Sequence, residues 1–362
     1  MSVISQGRIV RLPGTVVGPS GGGRTEWIRR GGTGSDRTTA GGVGPLAHAV
    51  RLSWVEARPV VQLIFQLRFL VGALLGLASS AAAGRFSGSA LFGIGVGAAA
   101  WLCATWHVYL LNGICDQIED RHNGSGRPLA SGALSMPVAR AVVAALAVLA
   151  VGLGAAVSLP LAVAVVTMLG LGWAYSAGPH PQKANVVGFV AVVTAGGLLT
   201  YLAGWLAAVG GTRSGGSGGL AAPDLPAGPS VLPLVALAGA MSLWMSLGGM
   251  TKDLSDVAGD RVAGRRTLPV VLGDRRARRL MAVLVIGVGV GFGALAVWAV
   301  PVLRVAAGVL LAGAGAVAFC LATRISRGHR GRLRLPYRMF MTTQYAVHGV
   351  VLVQCLLFGR GI

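Results

Sequence analysis

The stretch Pro137-Val-Ala-Arg-Ala-Val-Val-Ala-Ala-Leu-Ala-Val-Leu-Ala-Val-Gly-Leu-Gly-Ala-Ala-Val157 holds a single charge, Arg140, near its start. Its apolar residues do not alternate, and they leave no polar face on a helix. Neither a half-buried strand nor an amphipathic surface helix accounts for such a run. As a helix rising about 1.5 Å per residue, it crosses a bilayer core of about 30 Å. Eight other runs share this character, giving nine in all: 59–83, 90–111, 137–157, 159–176, 185–208, 231–250, 279–299, 301–323 and 338–358. Pro160 and Pro301 mark tight turns after the third and seventh spans. The expected fold is all-α and polytopic, with about nine transmembrane helices around a central cavity capped by cytoplasmic loops.

Composition agrees. Of 362 residues, 54% are hydrophobic and 12% charged. Soluble chains carry roughly 25% charged residues, so an ordinary water-soluble enzyme is excluded. The four cysteines, Cys103, Cys115, Cys320 and Cys355, lie in or beside apolar segments without C-x-x-C spacing, which fits small apolar packing. Residues 1 to about 50 are rich in Gly, Arg, Ser and Thr and read as a disordered tail ahead of a membrane domain at 51–362. Arg29 and Arg30 are followed by no apolar stretch, which argues against a twin-arginine signal. The connection 209–230 is rich in Gly, Ser and Pro and reads as a flexible link.

The net charge of +20 has two readings, nucleic-acid binding and cytoplasmic arginines on a membrane protein. The arginines lie between apolar spans and are not interleaved with aromatics, so the second reading is taken and no nucleic-acid partner is expected. Arg121 and Arg127 follow span two, and Lys183 follows span four. Lys252, Arg261, Arg265, Arg266, Arg275, Arg276, Arg278 and Arg279 follow span six, and Arg324 through Arg338 follow span eight. The opposite connections hold little beyond Arg85, Arg213 and Arg304. An integral protein of a bacterial plasma membrane is expected, with its N-terminus cytoplasmic and its C-terminus outside. Most of these arginines serve topology and lipid headgroups.

Of only eleven acidic residues, six fall in two windows, Asn112-Gly-Ile-Cys-Asp116-Gln-Ile-Glu-Asp120 and Lys252-Asp253-Leu-Ser-Asp256-Val-Ala-Gly-Asp260. At about 100° per residue, Asn112, Asp116 and Asp120 form one helical stripe, and Asp253, Asp256 and Asp260 form another. Four spans separate the windows, so both lie on the same membrane face, and the spacing hints at an internal repeat. A solvated helix face with arginine partners would be the bland account. However, these acids sit where apolar helices end, and stacked carboxylates repel unless a cation neutralises them. Mg²⁺ is typically held by one or two carboxylates plus substrate phosphates. The two stripes therefore point to a metal-bridged diphosphate, with Arg and Lys side chains nearby as phosphate partners.

The first window, continued by Arg127-Pro-Leu-Ala-Ser-Gly132, resembles the N-D-x-x-D-x-x-x-D motif of the UbiA superfamily of intramembrane prenyltransferases. The second, continued by Arg261-Val-Ala-Gly-Arg-Arg-Thr-Leu-Pro, is similar to that family's D-x-x-D-x-x-x-D. Tyr175-Ser-Ala-Gly-Pro-His-Pro-Gln-Lys183 and Arg58-Pro59 also match its pattern. Gly113 departs from it, standing where the family has its second-position Asp. The resemblance implies ionisation of an allylic prenyl diphosphate and capture of the prenyl group by an aromatic or similar electron-rich, lipophilic acceptor, with membrane lipids as surroundings. It implies Asn112, Asp116, Asp120, Asp253, Asp256 and Asp260 as Mg²⁺ and diphosphate residues. Arg127, Lys183, Lys252 and Arg68 are the candidates for phosphate contact, and Glu119 and Arg261 are weaker ones. Arg68 lies within span one, where it either faces the cavity or pairs between helices. His107, Tyr109, Gln62, Gln66, Gln344 and His348 are further intramembrane polar residues. A terpene cyclase on the same fold is the alternative. A transporter fits less well, because it would place its charges near the midplane.

Overall fold

Ser158 ends one long helix and begins the next: extended at φ −169°, it accepts from the Leu161 N–H at 3.3 Å, and Pro160 occupies the first turn beyond it. Pro fits there because the first helical N–H groups have no intrahelical partner. A computed structural model describes residues 44–79, 88–213 and 231–358. The helices are α1 Pro45–Glu56, α2 Pro59–Ser79, α3 Gly88–Cys115, α4 Gln117–His122, α5 Pro128–Ser131, α6 Met136–Val157 and α7 Leu159–Ser176. There follow α8 Val186–Arg213, α9 Leu232–Gly249, α10 Val257–Val262, α11 Leu268–Trp298, α12 Arg304–Ala322, α13 Arg330–Leu333 and α14 Leu335–Phe358. α11 is interrupted at Gly273.

Among the described residues, nine helices are long and apolar enough to cross a membrane. The fold is all-α, and the nine spans follow the expected order. α1 begins at Pro45, inside the segment read as tail, and the rest of that tail (1–43) lies outside the described residues, as do 214–230 of the expected link. Lipid-facing surfaces are apolar: Val148, Val163 and Trp298 are all more than half exposed. Burial by hydrophobicity cannot sort such helices, so they associate by close packing of small residues. α2 and α8 show this, since a Cβ on Gly72 would strike the Tyr201 carbonyl and one on Gly204 would strike the Phe69 carbonyl.

Candidate active site

Both acidic windows fold alike, and not as single stripes. α3 stops at Cys115, Asp116 leaves helical geometry at φ −94°, ψ 10°, and α4 resumes at Gln117. In the second window a 3₁₀ turn spans Met250–Ser255, Asp256 leaves it at φ −118°, ψ 8°, and α10 begins at Val257. The middle residue of each stripe, Asp116 or Asp256, is thus the hinge between a long apolar helix and a short helix beyond it. Carboxylates stacked on an unbroken helix face would repel; in the fold Asp116, Asp120, Asp256 and Asp260 each meet at least one cation.

Asp116 forms ion pairs with Lys183 and, at 2.5 Å, with Arg265. Arg265 reaches Glu119 at 2.8 Å and Asp260 at 3.7 Å, so one guanidinium links the two windows. Asn112 donates to Asp116 Oδ2 at 2.8 Å and accepts from Ser176 Oγ at 3.1 Å. The backbone N–H of Arg266 donates to the Ala184 carbonyl at 2.7 Å, fixing the Lys183 turn against the second window. Asp256 faces Lys252 at 3.4 Å, Arg330 at 3.1 Å and Arg334 at 3.4 Å. Asp260 accepts from Thr267 Oγ1 at 3.1 Å.

These groups stand at the charged end of a cavity whose lining includes Arg58, Asn112, Asp116, Lys183, Lys252, Asp253 and Arg265. The rest of its lining is largely apolar and aromatic, with Phe65, Tyr109, Met168, Tyr175, Phe189, Tyr337 and Phe340 among the residues. Of the six residues assigned to metal and diphosphate, Asn112, Asp116 and Asp253 line the cavity. Asp120, Asp256 and Asp260 stand behind it, on Arg127, on Lys252 with the 330–334 arginines, and on Thr267 with Arg265 respectively.

Lys183 and Lys252 line the cavity as expected for phosphate contact, whereas two other candidates differ. Arg127 forks between Asp120 and Glu56, at 2.6 Å each, and does not line it. Arg68 is fully buried behind the cavity wall, bonded to Met245 and Gln344 and 5.8 Å from the Phe65 ring. It joins α2, α9 and α14, the interhelical arrangement of the two expected for it. Beneath it, Tyr201 meets His348 at 2.5 Å. His107 bonds the Val143 carbonyl at 2.9 Å and likewise links helices. Glu119 belongs to the Arg265 cluster, while Arg261 is exposed.

Arg58 and Arg265 line the cavity, although neither was among the residues assigned to phosphate contact from the sequence. Arg58 is the one non-glycine residue with positive φ among those described, at 60°, in the turn between α1 and α2. That strained turn aims its guanidinium at the cavity, and the Arg-Pro pair was its only mark in the sequence. Arg265 stood with Arg261 and Arg266 after the second window as a base suited to a phosphate, and spacing alone did not single it out.

Burial pushes the Asp116 carboxyl up, but Arg265 and Lys183 outweigh it and hold the group at about 2, down from 3.8. Burial opposes ionisation of Asp256 too, and Lys252 and Arg334 hold it at about 2. A carboxyl depressed on folding stabilises fully above its unfolded pKa and loses that contribution as pH falls through the folded value. The loop cap is therefore expected to keep these two contributions down to about pH 4 and to lose them between about pH 4 and 2. Thermal melting of detergent-solubilised protein checks this, since Asp116→Asn should flatten part of the acid-side decline.

The oxygen donors at the cavity mouth, Asn112, Asp116 and Asp253, are of the type that Mg²⁺ takes. Among the described residues no three His, Cys, Asp or Glu side chains gather closely enough to hold an ion alone. A magnesium ion shared with a diphosphate needs only one or two carboxylates, so the residues fit.

A cavity with a charged mouth and a largely apolar, aromatic lining, set within a bundle of apolar helices, is that of an integral-membrane protein with an amphipathic internal site. The UbiA prenyltransferase family matches residues 69–344. The chain belongs to that family and is a transferase of prenyl groups. It is 34% identical over 232 residues to the digeranylgeranylglyceryl phosphate synthase of Halobacterium salinarum, covering 64% of this chain and 72% of that one. Among solved structures, a UbiA homolog from Archaeoglobus fulgidus bound to DMAPP and Mg²⁺ aligns with a TM-score of 0.56 at 18% identity, over 82% of this chain and 99% of that one. A structure of a digeranylgeranylglyceryl phosphate synthase aligns at 0.55 and 15% identity, over 84% and 98%. Both likenesses concern the fold.

Proposed function

We propose that this prenyltransferase is Mg²⁺-dependent, ionises an allylic prenyl diphosphate at the cytoplasmic mouth of its cavity, and transfers the prenyl group to an electron-rich lipophilic or aromatic acceptor. The observation that carries this reading is the convergence of Asn112 and Asp116 from one window with Lys252 and Asp253 from the other on a single aromatic-walled cavity. Bound there, Mg²⁺ would neutralise charge developing on the leaving diphosphate. Asn112, Asp116 and Asp253 are the residues that would hold it, supported from behind by Asp120, Asp256 and Asp260. Arg58, Lys183, Lys252 and Arg265 present cations to phosphate oxygens. Tyr109, Tyr175, Phe65 and Phe189 surround the allylic carbon with π faces, which attract a cation and exclude water.

The test incubates detergent-solubilised protein with geranyl, farnesyl or geranylgeranyl diphosphate. Each is offered alone, with an aromatic acceptor, or with a prenylated glyceryl phosphate, the last because of the Halobacterium relative's name. Diphosphate release is expected with Mg²⁺ and not with excess chelator, and a prenylated product is expected only with an acceptor. Cyclic hydrocarbon from the diphosphate alone would establish the cyclase reading, and no release from any of the three would overturn both. We further propose that 51–362 is the catalytic domain, with the N-terminus cytoplasmic and the C-terminus outside. The distribution of basic loops supports this. A reporter fused after Ile362 that reads cytoplasmic would reverse that orientation.

A further inference from the structure

Glu56 is 0% exposed, at the last turn of α1, far in sequence from either acidic window. Its carboxylate lies against Gly113: a Cβ there would collide with Glu56 Oε1 and stand 2.8 Å from Arg127 Nη2. Glu56 Oε1 pairs with Arg127 Nη2 at 2.6 Å, and Oε2 accepts from the Leu129 N–H at 2.9 Å. Arg127 Nη2 also donates to the Glu56 carbonyl at 3.0 Å, and Nη1 holds Asp120 at 2.6 Å. The geometry has two consequences. Any acid at position 113 would reach Arg127 from within the window, and Glu56 takes that place from another helix. Only a residue without a side chain at 113 leaves room for it.

We propose that Glu56 is a positioning residue of the first acidic window, supplying from α1 the carboxylate that the window lacks at Gly113. It fixes Arg127, and through Arg127 it fixes Asp120. It also anchors the turn that carries Arg58 to the cavity, two residues onward. Arg127 already balances Glu56 and Asp120, and a further carboxylate at 113, in contact with Glu56 in a poorly solvated site, would add a like charge with no cation of its own. The window's departure from the family pattern and the buried acid on α1 are therefore one feature. The inference rests on the prenyl transfer proposed above.

The experiment is a charge swap, read as diphosphate release by detergent-solubilised full-length protein, with size-exclusion profiles and melting curves for each variant. Wild-type release comes first: without it the functional reading fails and the swap is not at issue. Gly113→Asp alone is expected to lose about a hundredfold in turnover, because it sets a third carboxylate against a guanidinium that already holds Glu56 and Asp120. Combined with Glu56→Ala it should recover to within about tenfold of wild type, whereas Glu56→Ala with Gly113→Asn should not. That contrast depends on charge at one place, and a merely space-filling role would not produce it. Glu56→Gln keeps the size and the Leu129 bond, and should cost about tenfold or more. A swap with Asp no more active than the swap with Asn, in well-folded protein, overturns the assignment. If the swapped chains do not fold, wild-type turnover in Glu56→Gln overturns it as well.

Discussion

Asp116→Ala is expected to abolish prenyl diphosphate turnover, with a loss of about a thousandfold or more, roughly 4 kcal/mol of barrier. The carboxylate lines the cavity, and Lys183 and Arg265 hold it ionised. It therefore stands ready as an anionic oxygen ligand at working pH. Asp116→Asn should be nearly as damaging, since the amide keeps the shape and loses the charge. Removing the carboxylate also leaves the buried Lys183 without its ion-pair partner, so a lower melting temperature is expected alongside. Asp253→Ala should match it in turnover, because Asp253 is the cavity-lining acid of the second window. Joined in one chain, the two substitutions should be little worse than either alone, as residues acting as a unit are strongly non-additive. Asp256→Ala acts one step removed, through Lys252, Arg330 and Arg334, and a smaller loss is expected. Diphosphate release at the wild-type rate in either cavity-lining alanine variant would sink the metal–diphosphate assignment.

Legibility in the sequence divided along physical lines. The spans were readable because a bilayer imposes a length on every apolar run, as 137–157 shows. The windows were readable because so few acids occur elsewhere. Periodicity could not show that each window breaks at its middle acid. A stripe at i, i+4 and i+8 assumes an unbroken helix, and Asp116 and Asp256 both leave helical geometry. Nor could spacing separate Asp253, which lines the cavity, from Asp256, which is locked on arginines of the 330–334 segment. That pairing spans more than seventy residues of chain. Glu56 was invisible for the same reason: its partner lies 71 residues away, and its only local sign was an absence at Gly113. Arg68 misled because an intramembrane arginine is by default a functional candidate. A neutral amide and a thioether on neighbouring helices were enough to hold it.

Arg265 carries the second large effect. Its guanidinium meets Asp116 at 2.5 Å, Glu119 at 2.8 Å and Asp260 at 3.7 Å, and it is itself part of the cavity lining. Burial would lower its pKa, but Asp116, Glu119 and Asp260 together raise it, so the group is a permanent cation. Arg265→Ala should leave three carboxylates converging on a vacated position, of which two, Asp116 and Asp260, are buried. Breaking a buried ion pair by removing one partner costs about 3–5 kcal/mol, and the side chain here is 14% exposed, so most of that cost applies. A clear fall in melting temperature and a loss of turnover of about a hundredfold or more are expected. Arg265→Lys is the sharper probe. A lysine keeps the charge but is a single point donor, and it cannot bridge carboxylates from two windows as a planar fork does. Turnover should therefore fall by about tenfold while most of the melting temperature is kept. If the guanidinium is what registers one acidic window against the other, the lysine variant will also lose the energetic coupling between Asp116 and Asp260. A double-mutant cycle on those two aspartates measures this directly. Full turnover and unchanged coupling in the lysine variant would show that a positive charge alone suffices at this position and that the fork is not what registers the two windows.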